Sequence, residues 1–308
     1  MDINNDKNNN HYENALDKKI DNKLENKGDN QRKVPLLADT FMRTIVWFCS
    51  TIGIMMCFGF VLEYLEGIIN KKLDRLISGD FVLFTAAIGT PIHELGHYLM
   101  CLLFGFKVTS VEFLRPFSYK KDGILGMVSY YHTTNTIKDQ VGDFFVGIGP
   151  LVFGGIFILL VLKLLLPEAY KEADRLSDQT WLNSKNFKGI KSSFAFIGGF
   201  FKGLFSIKGF GFLRVIVAIY FITSISMHMT LSPADIENGI NGLYVLIGLF
   251  FIFSFVTSLL KLNYKMDAAE VATGIIFFFM IGVISDLILL GIVEVYPYIE
   301  DFISNIHF

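Results

Sequence analysis

Phe81-Val-Leu-Phe-Thr-Ala-Ala-Ile-Gly-Thr-Pro91-Ile-His93-Glu94-Leu-Gly96-His97-Tyr-Leu-Met-Cys-Leu-Leu-Phe104 is an apolar run with two histidines and a glutamate set into it. On an α-helix, residues four apart lie one turn apart on the same face, so His93 and His97 can turn both imidazoles to one ion. Glu94 follows the first histidine, where a carboxylate can hold a water and take its proton. The alternative is a pair of hydrogen-bonded buried histidines. Ionisable side chains are costly in a membrane-length apolar segment and point to a functional site by default.

Composition gives the setting. The chain has 308 residues, 52% of them hydrophobic and 18% charged, with the apolar residues in long blocks. That pattern is an α-helical polytopic membrane protein, multi-pass in a cell membrane with the lipid bilayer as its solvent. A net charge of −2 gives no basis for binding nucleic acid. Cys49, Cys57 and Cys101 all fall in apolar blocks and read as small buried hydrophobes rather than disulfide partners.

The chain divides into a polar N-terminal tail, residues 1–40, and a membrane-embedded domain, 41–308, with its core at 80–240. The tail is rich in Asn, Asp and Lys up to about residue 34 and is expected to be disordered there. About six transmembrane helices are expected: Ile45 to Leu65, Asp80 to Phe106, Phe144 to Leu166, Leu213 to Met229, Leu243 to Leu262 and Val271 to Val295. Pro91 is expected to bend or restart the second span just before His93.

Between spans two and three, Val108 to Leu114 and Ile124 to Tyr131 are β-branched and aromatic, with Pro116 and Asp122-Gly123 between them. They read as a membrane-associated β-hairpin. Its exposed edge could hold an extended peptide as an added strand, or it could be an ordinary surface loop. After span three, Pro167 to Lys191 is charged, and Phe194 to Phe212 mixes phenylalanine with lysine and glycine. The latter is expected to lie in the interface plane or to be a broken span.

One zinc ion per chain needs a third protein ligand and an open position. The candidates at membrane depth are His228, Asp235 and Asp286. Asp235 is preferred, because Ser232 and Pro233 break the helix just before it and a broken backbone at this depth lines a cavity. His228 is expected to act behind the ligands, orienting Asp235 or stabilising an oxyanion. Asp286 serves equally well as a hydrogen-bonding partner between helices.

These residues resemble the site-2 protease family of intramembrane zinc metalloproteases. The similarity covers roughly residues 80 to 240: the His93-to-His97 motif in a span, the hairpin with Leu125-Gly126-Met127-Val128, Gly149-Pro150 opening the next span, and a later broken span carrying Asp235. It departs at Leu151-Val152-Phe153, where the family has an asparagine shortly after Gly-Pro, and around Asp235, where Ala234 and Ile236 replace the usual Leu and Gly. No PDZ-like insertion fits between spans three and four. The resemblance implies a zinc endopeptidase that cleaves membrane-spanning protein substrates, with Glu94 catalytic and His93, His97 and Asp235 on the metal. It leaves the oligomeric state open.

Basic residues divide almost evenly between the two sides, so charge does not orient the chain. The resemblance favours cytoplasmic termini. The rival classes are a metal-binding membrane transporter and an inactive membrane scaffold that keeps the fold. Glu94 separates the first from a hydrolase, because only a hydrolase needs a carboxylate that does not ligate the metal.

Overall fold

The computed structural model describes residues 35–76, 80–184, 188–207, 209, 211–261 and 268–306. The polar tail up to residue 34 lies outside the described residues. Helix α1 (Leu36–Phe48) passes through a π-helical turn (Cys49–Gly53) into α2 (Ile54–Leu76). It therefore starts within the stretch assigned to the tail and nine residues before the expected Ile45. The π turn has a local cause. Ser50 and Thr51 both donate their hydroxyls to the Trp47 carbonyl, at 3.2 and 2.7 Å, and such bonds compete with the regular ladder.

Helix α3 (Asp80–Phe104) carries the histidine motif and runs through Pro91 as one helix. One turn earlier a side chain from elsewhere in the chain binds its backbone. The Ser224 hydroxyl accepts from the Gly89 N–H at 2.9 Å and donates to the Thr85 carbonyl, two groups that face each other along the helix.

Strands β1 (Lys107–Glu112) and β2 (Met127–Tyr131) form the expected antiparallel hairpin, with a register shift between Val108 and Ser110. The strands are shorter than expected, because the connection contains a helical turn, α4 (Tyr119–Asp122). Gly123, at φ +73°, ends that turn, and the Asp122 carboxylate accepts the Ile124 N–H at 2.9 Å.

Helix α5 (Ile137–Leu165) starts on a capping box in which Thr136 and Asp139 bond each other's backbone N–H. It is the most enclosed helix, burying Ile148, Leu151, Ile158 and Leu162. The charged connection and the phenylalanine-rich stretch form two helices, α6 (Pro167–Asn183) and α7 (Lys188–Ser206), packed against each other. Gly199 and Gly203 let α7 approach Ala173 and Ala169 of α6 at backbone distance. Then follow α8 (Gly211–Ser226), α9 (Pro233–Leu259) and α10 (Ala268–Ile306).

Helix α5 packs on α3, α8 and α9, while α10 packs on α2 and α9 on α1. Among the described residues, four helices are long and apolar enough to cross a membrane: Leu36–Leu76, Ile137–Leu165, Pro233–Leu259 and Phe279–Asn305. At 16 residues, α8 is apolar but shorter than that class. The chain is therefore an α-helical membrane protein with a small two-stranded sheet.

Candidate metal centre

Glycines set the distance between the helices that build the site. A methyl group on Gly96 would stand 2.7 Å from the carbonyl carbon of Gly149 and from the nitrogen of Pro150, so α3 and α5 touch backbone to backbone. On the other side of α5, a methyl on Gly147 would stand 2.8 Å from the Asp235 carbonyl, and one on Gly242 of α9 would overlap the Gln140 carbonyl. These contacts bring the start of α9 to the histidine face of α3.

His93, His97 and Asp235 converge there, with one ligand atom from each within 4.8 Å of the others. His97 is buried, and His93 and Asp235 are half-buried. The His93 Nδ1 lies 2.6 Å from the His228 carbonyl, and the His97 Nδ1 lies 2.8 Å from the Val146 carbonyl. A carbonyl only accepts, so each Nδ1 carries the proton and each Nε2 keeps a lone pair in the neutral ring. Those two Nε2 atoms face each other at 3.0 Å, and Asp235 Oδ1 stands 3.3 Å from the His97 Nε2. Three electron-rich atoms turned toward one point repel unless a cation lies between them. The group could hold a metal ion.

Asp235 divides its two oxygens between two tasks. It is the third residue of α9, and Ser232 caps that helix. Asp235 Oδ2 accepts the Ser232 N–H at 3.0 Å and its hydroxyl at 2.7 Å. Oδ1 stays with the histidines. The sequence signal was present: Ser232-Pro-Ala-Asp235 is a capping-box spacing, although sequence reading treats it only as a break. The other outer partners, the carbonyls of Val146 and His228, leave no sequence signal, because every residue has a carbonyl.

Glu94 is buried at 7% exposure and lies next to His93 on α3. The hairpin covers it: a methyl on Gly126 would stand 2.7 Å from Glu94 Cγ and 2.9 Å from Oε1. His228 takes part through its carbonyl, while its imidazole faces Gly89 and lies 3.5 Å from the Thr85 hydroxyl. Asp286 is outside the group of three. It is fully buried and accepts the Ser226 hydroxyl at 2.5 Å.

Beside the hairpin, Val128 to His132, Asp143 and Asn238 line a cavity of about 480 Å³. Asp143 accepts from the Tyr130 hydroxyl at 3.2 Å and lies 3.1 Å from the His132 Nε2, tying β2 to α5. Burial alone would lower the His132 pKa, but the Thr134 carbonyl and the Asp143 carboxylate outweigh it and hold it above the ordinary histidine value. No family model, curated protein or solved structure matches the chain.

Proposed function

We propose that this chain is a zinc-dependent intramembrane endopeptidase, resembling the site-2 protease family, that hydrolyses peptide bonds of membrane-spanning protein substrates. The observation that carries this reading is the convergence of two bare Nε2 atoms and one carboxylate oxygen, with Glu94 beside them and unshared with that trio. Two imidazoles and a carboxylate leaving one open position are the donor set of hydrolytic zinc. Two atoms about 2.1 Å from one tetrahedral ion stand about 3.4 Å apart, close to the 3.0 Å between the two Nε2 atoms and the 3.3 Å from the His97 Nε2 to Asp235.

Bound zinc supplies Lewis acidity toward the scissile carbonyl. Glu94 takes a proton from the attacking water and delivers it to the leaving amine, so that water adds across the C–N bond. The Val146 and His228 carbonyls keep both rings in the tautomer a ligand needs. Gly126 leaves room for the Glu94 carboxylate under the hairpin.

A substrate segment must be extended to be cut. β2 pairs with β1 on one edge, and its residues line the polar cavity, where an extended peptide could join as a further strand. We read Leu36–Leu76, α3, α5, α8, α9 and α10 as six spans, with both termini cytoplasmic.

The test is zinc per chain in detergent-purified protein, together with cleavage of a membrane-spanning reporter. The parent is expected to hold one zinc and to cleave. His97→Ala and Asp235→Ala lose both, while Asp286→Ala, which keeps all three ligands, still takes up one zinc when the metal is in excess. Glu94→Gln keeps zinc and loses cleavage. A parent that takes up no zinc when it is supplied would sink the reading.

A further inference from the structure

We propose that Glu66 and Asp286 are positioning residues for the metal centre, gripping the two ends of the Ser226–Thr230 stretch whose middle carbonyl, that of His228, orients His93. The inference rests on the metal-centre reading above.

The stretch is where α8 ends and the chain crosses to α9. Its N–H groups bond back along the chain, Met227 to the Thr223 carbonyl at 3.0 Å, His228 to Ile225 at 3.1 Å and Met229 to Ser226 at 3.4 Å, and none of these bonds uses the His228 carbonyl. Met227, His228, Met229 and Thr230 are all buried. Apolar packing of such a segment is non-directional and does not by itself fix the direction of a carbonyl. The His93 contact, 2.6 Å long, requires one carbonyl direction.

Two directional bonds supply it. Ser226 at one end donates to Asp286 Oδ1 of α10 at 2.5 Å, with a longer contact of 3.2 Å to the Thr223 carbonyl. Thr230 at the other end donates to Glu66 Oε2 of α2 at 3.1 Å. Asn70, one turn along α2, donates toward Glu66 Oε1 at 3.4 Å. The two carboxyls belong to α2 and α10, which pack on each other and contribute no atom to the metal trio. Joining those helices does not require acids, which are an expensive choice at this depth. A nearby bond shows the cheaper way: the hydroxyls of Thr223 of α8 and Ser285 of α10 meet at 2.8 Å and join the two helices that the Ser226–Asp286 bond also joins.

The experiment uses the full chain in detergent, with Co²⁺ as the probe. Its visible spectrum reports the ligand arrangement, and chelator competition reports affinity. Asp286→Leu and Glu66→Leu are expected to bind cobalt about tenfold or more weakly with an altered spectrum, as loss of outer partners does. Asp286→Asn and Glu66→Gln keep an acceptor and are expected to restore both readouts. Thr223→Ala is expected to match the parent.

Should the leucine variants fail to fold, Ser226→Ala and Thr230→Val remove the same bonds from the other side and should weaken binding alike. Parent-like affinity and spectrum in the folded variants would overturn the positioning role, as would an equal loss in Thr223→Ala. A parent chain that binds no cobalt overturns the metal centre itself and the positioning role with it.

Discussion

Gly126 and Glu94 meet so closely that a single added methyl group would stand 2.7 Å from the glutamate Cγ. The hairpin and the motif helix are thus fitted to each other at the position of the proposed general base. The neighbours that must yield are side chains rather than backbone, Glu94 and the Thr90 methyl at 2.8 Å.

Gly126→Ala is therefore expected to fold, to keep its metal and to displace the Glu94 carboxylate. Reporter cleavage should fall roughly 10²-fold, the scale set by misplacing a reacting group by about an ångström. Metal content and the melting temperature should stay near those of the parent. A full loss of metal would show that the hairpin supports the ligands instead.

Gly96→Ala meets backbone, at 2.7 Å from Gly149 and Pro150, and neither can move aside cheaply. The expected cost is about 1–3 kcal/mol, read as a lower unfolding midpoint. Gly67→Ala, also helical but with nothing within 4 Å, is the control. It is expected to gain about 0.5–1 kcal/mol, because alanine loses less backbone entropy.

Ser232→Ala removes the cap of α9 and both of the hydroxyl's bonds to Asp235. The helix start should lose about 1 kcal/mol. Metal affinity, measured by chelator competition, should fall about 10- to 100-fold, since Asp235 loses the partner that aims it. Ser232→Thr, which keeps the hydroxyl, should recover most of both.

The His132–Asp143 contact gives a pH dependence of known sign. The groups facing His132 are the Thr134 carbonyl and the carboxylates of Asp143 and Asp139, and together they raise its pKa. A folded value above the unfolded one means that the stabilisation is fully present below the ordinary histidine range, about 6.5, and is lost as pH rises through the raised value. The difference in melting temperature between the parent and His132→Asn should therefore be largest at mildly acid pH and shrink in alkali. A difference independent of pH would show that the imidazole acts there only by packing on Phe106, 5.0 Å away.

Metal removal should destabilise the parent chain. A ligand that binds only the folded state at 100 times its Kd adds about 2.7 kcal/mol. Chelation should thus lower the parent's melting temperature and leave that of Asp235→Ala unchanged.

Much of this was legible in the sequence, and the reason is locality. His93 and His97 share a face because a helix repeats every 3.6 residues, whatever surrounds it. Apolar run lengths mark four of the six expected spans as helices long enough to cross a bilayer, and the turn formers at Pro116 and Gly123 mark the hairpin. The choice of Asp235 over Asp286 was only a preference at that level, because both are acids in apolar stretches.

The tertiary structure decided what depends on distances between helices. It brought Asp235, rather than Asp286, to the histidines through glycine contacts between α5 and its neighbours. It gave His228 its role through a carbonyl 135 residues along the chain from the ring it holds. It also paired α6 with α7, which the phenylalanine pattern, open to an interfacial segment or a broken span, does not specify. Periodicity is a property of one segment and can be read from that segment alone. The approach of two backbones depends on which small residues face each other across a packed interface, and only the assembled bundle specifies that.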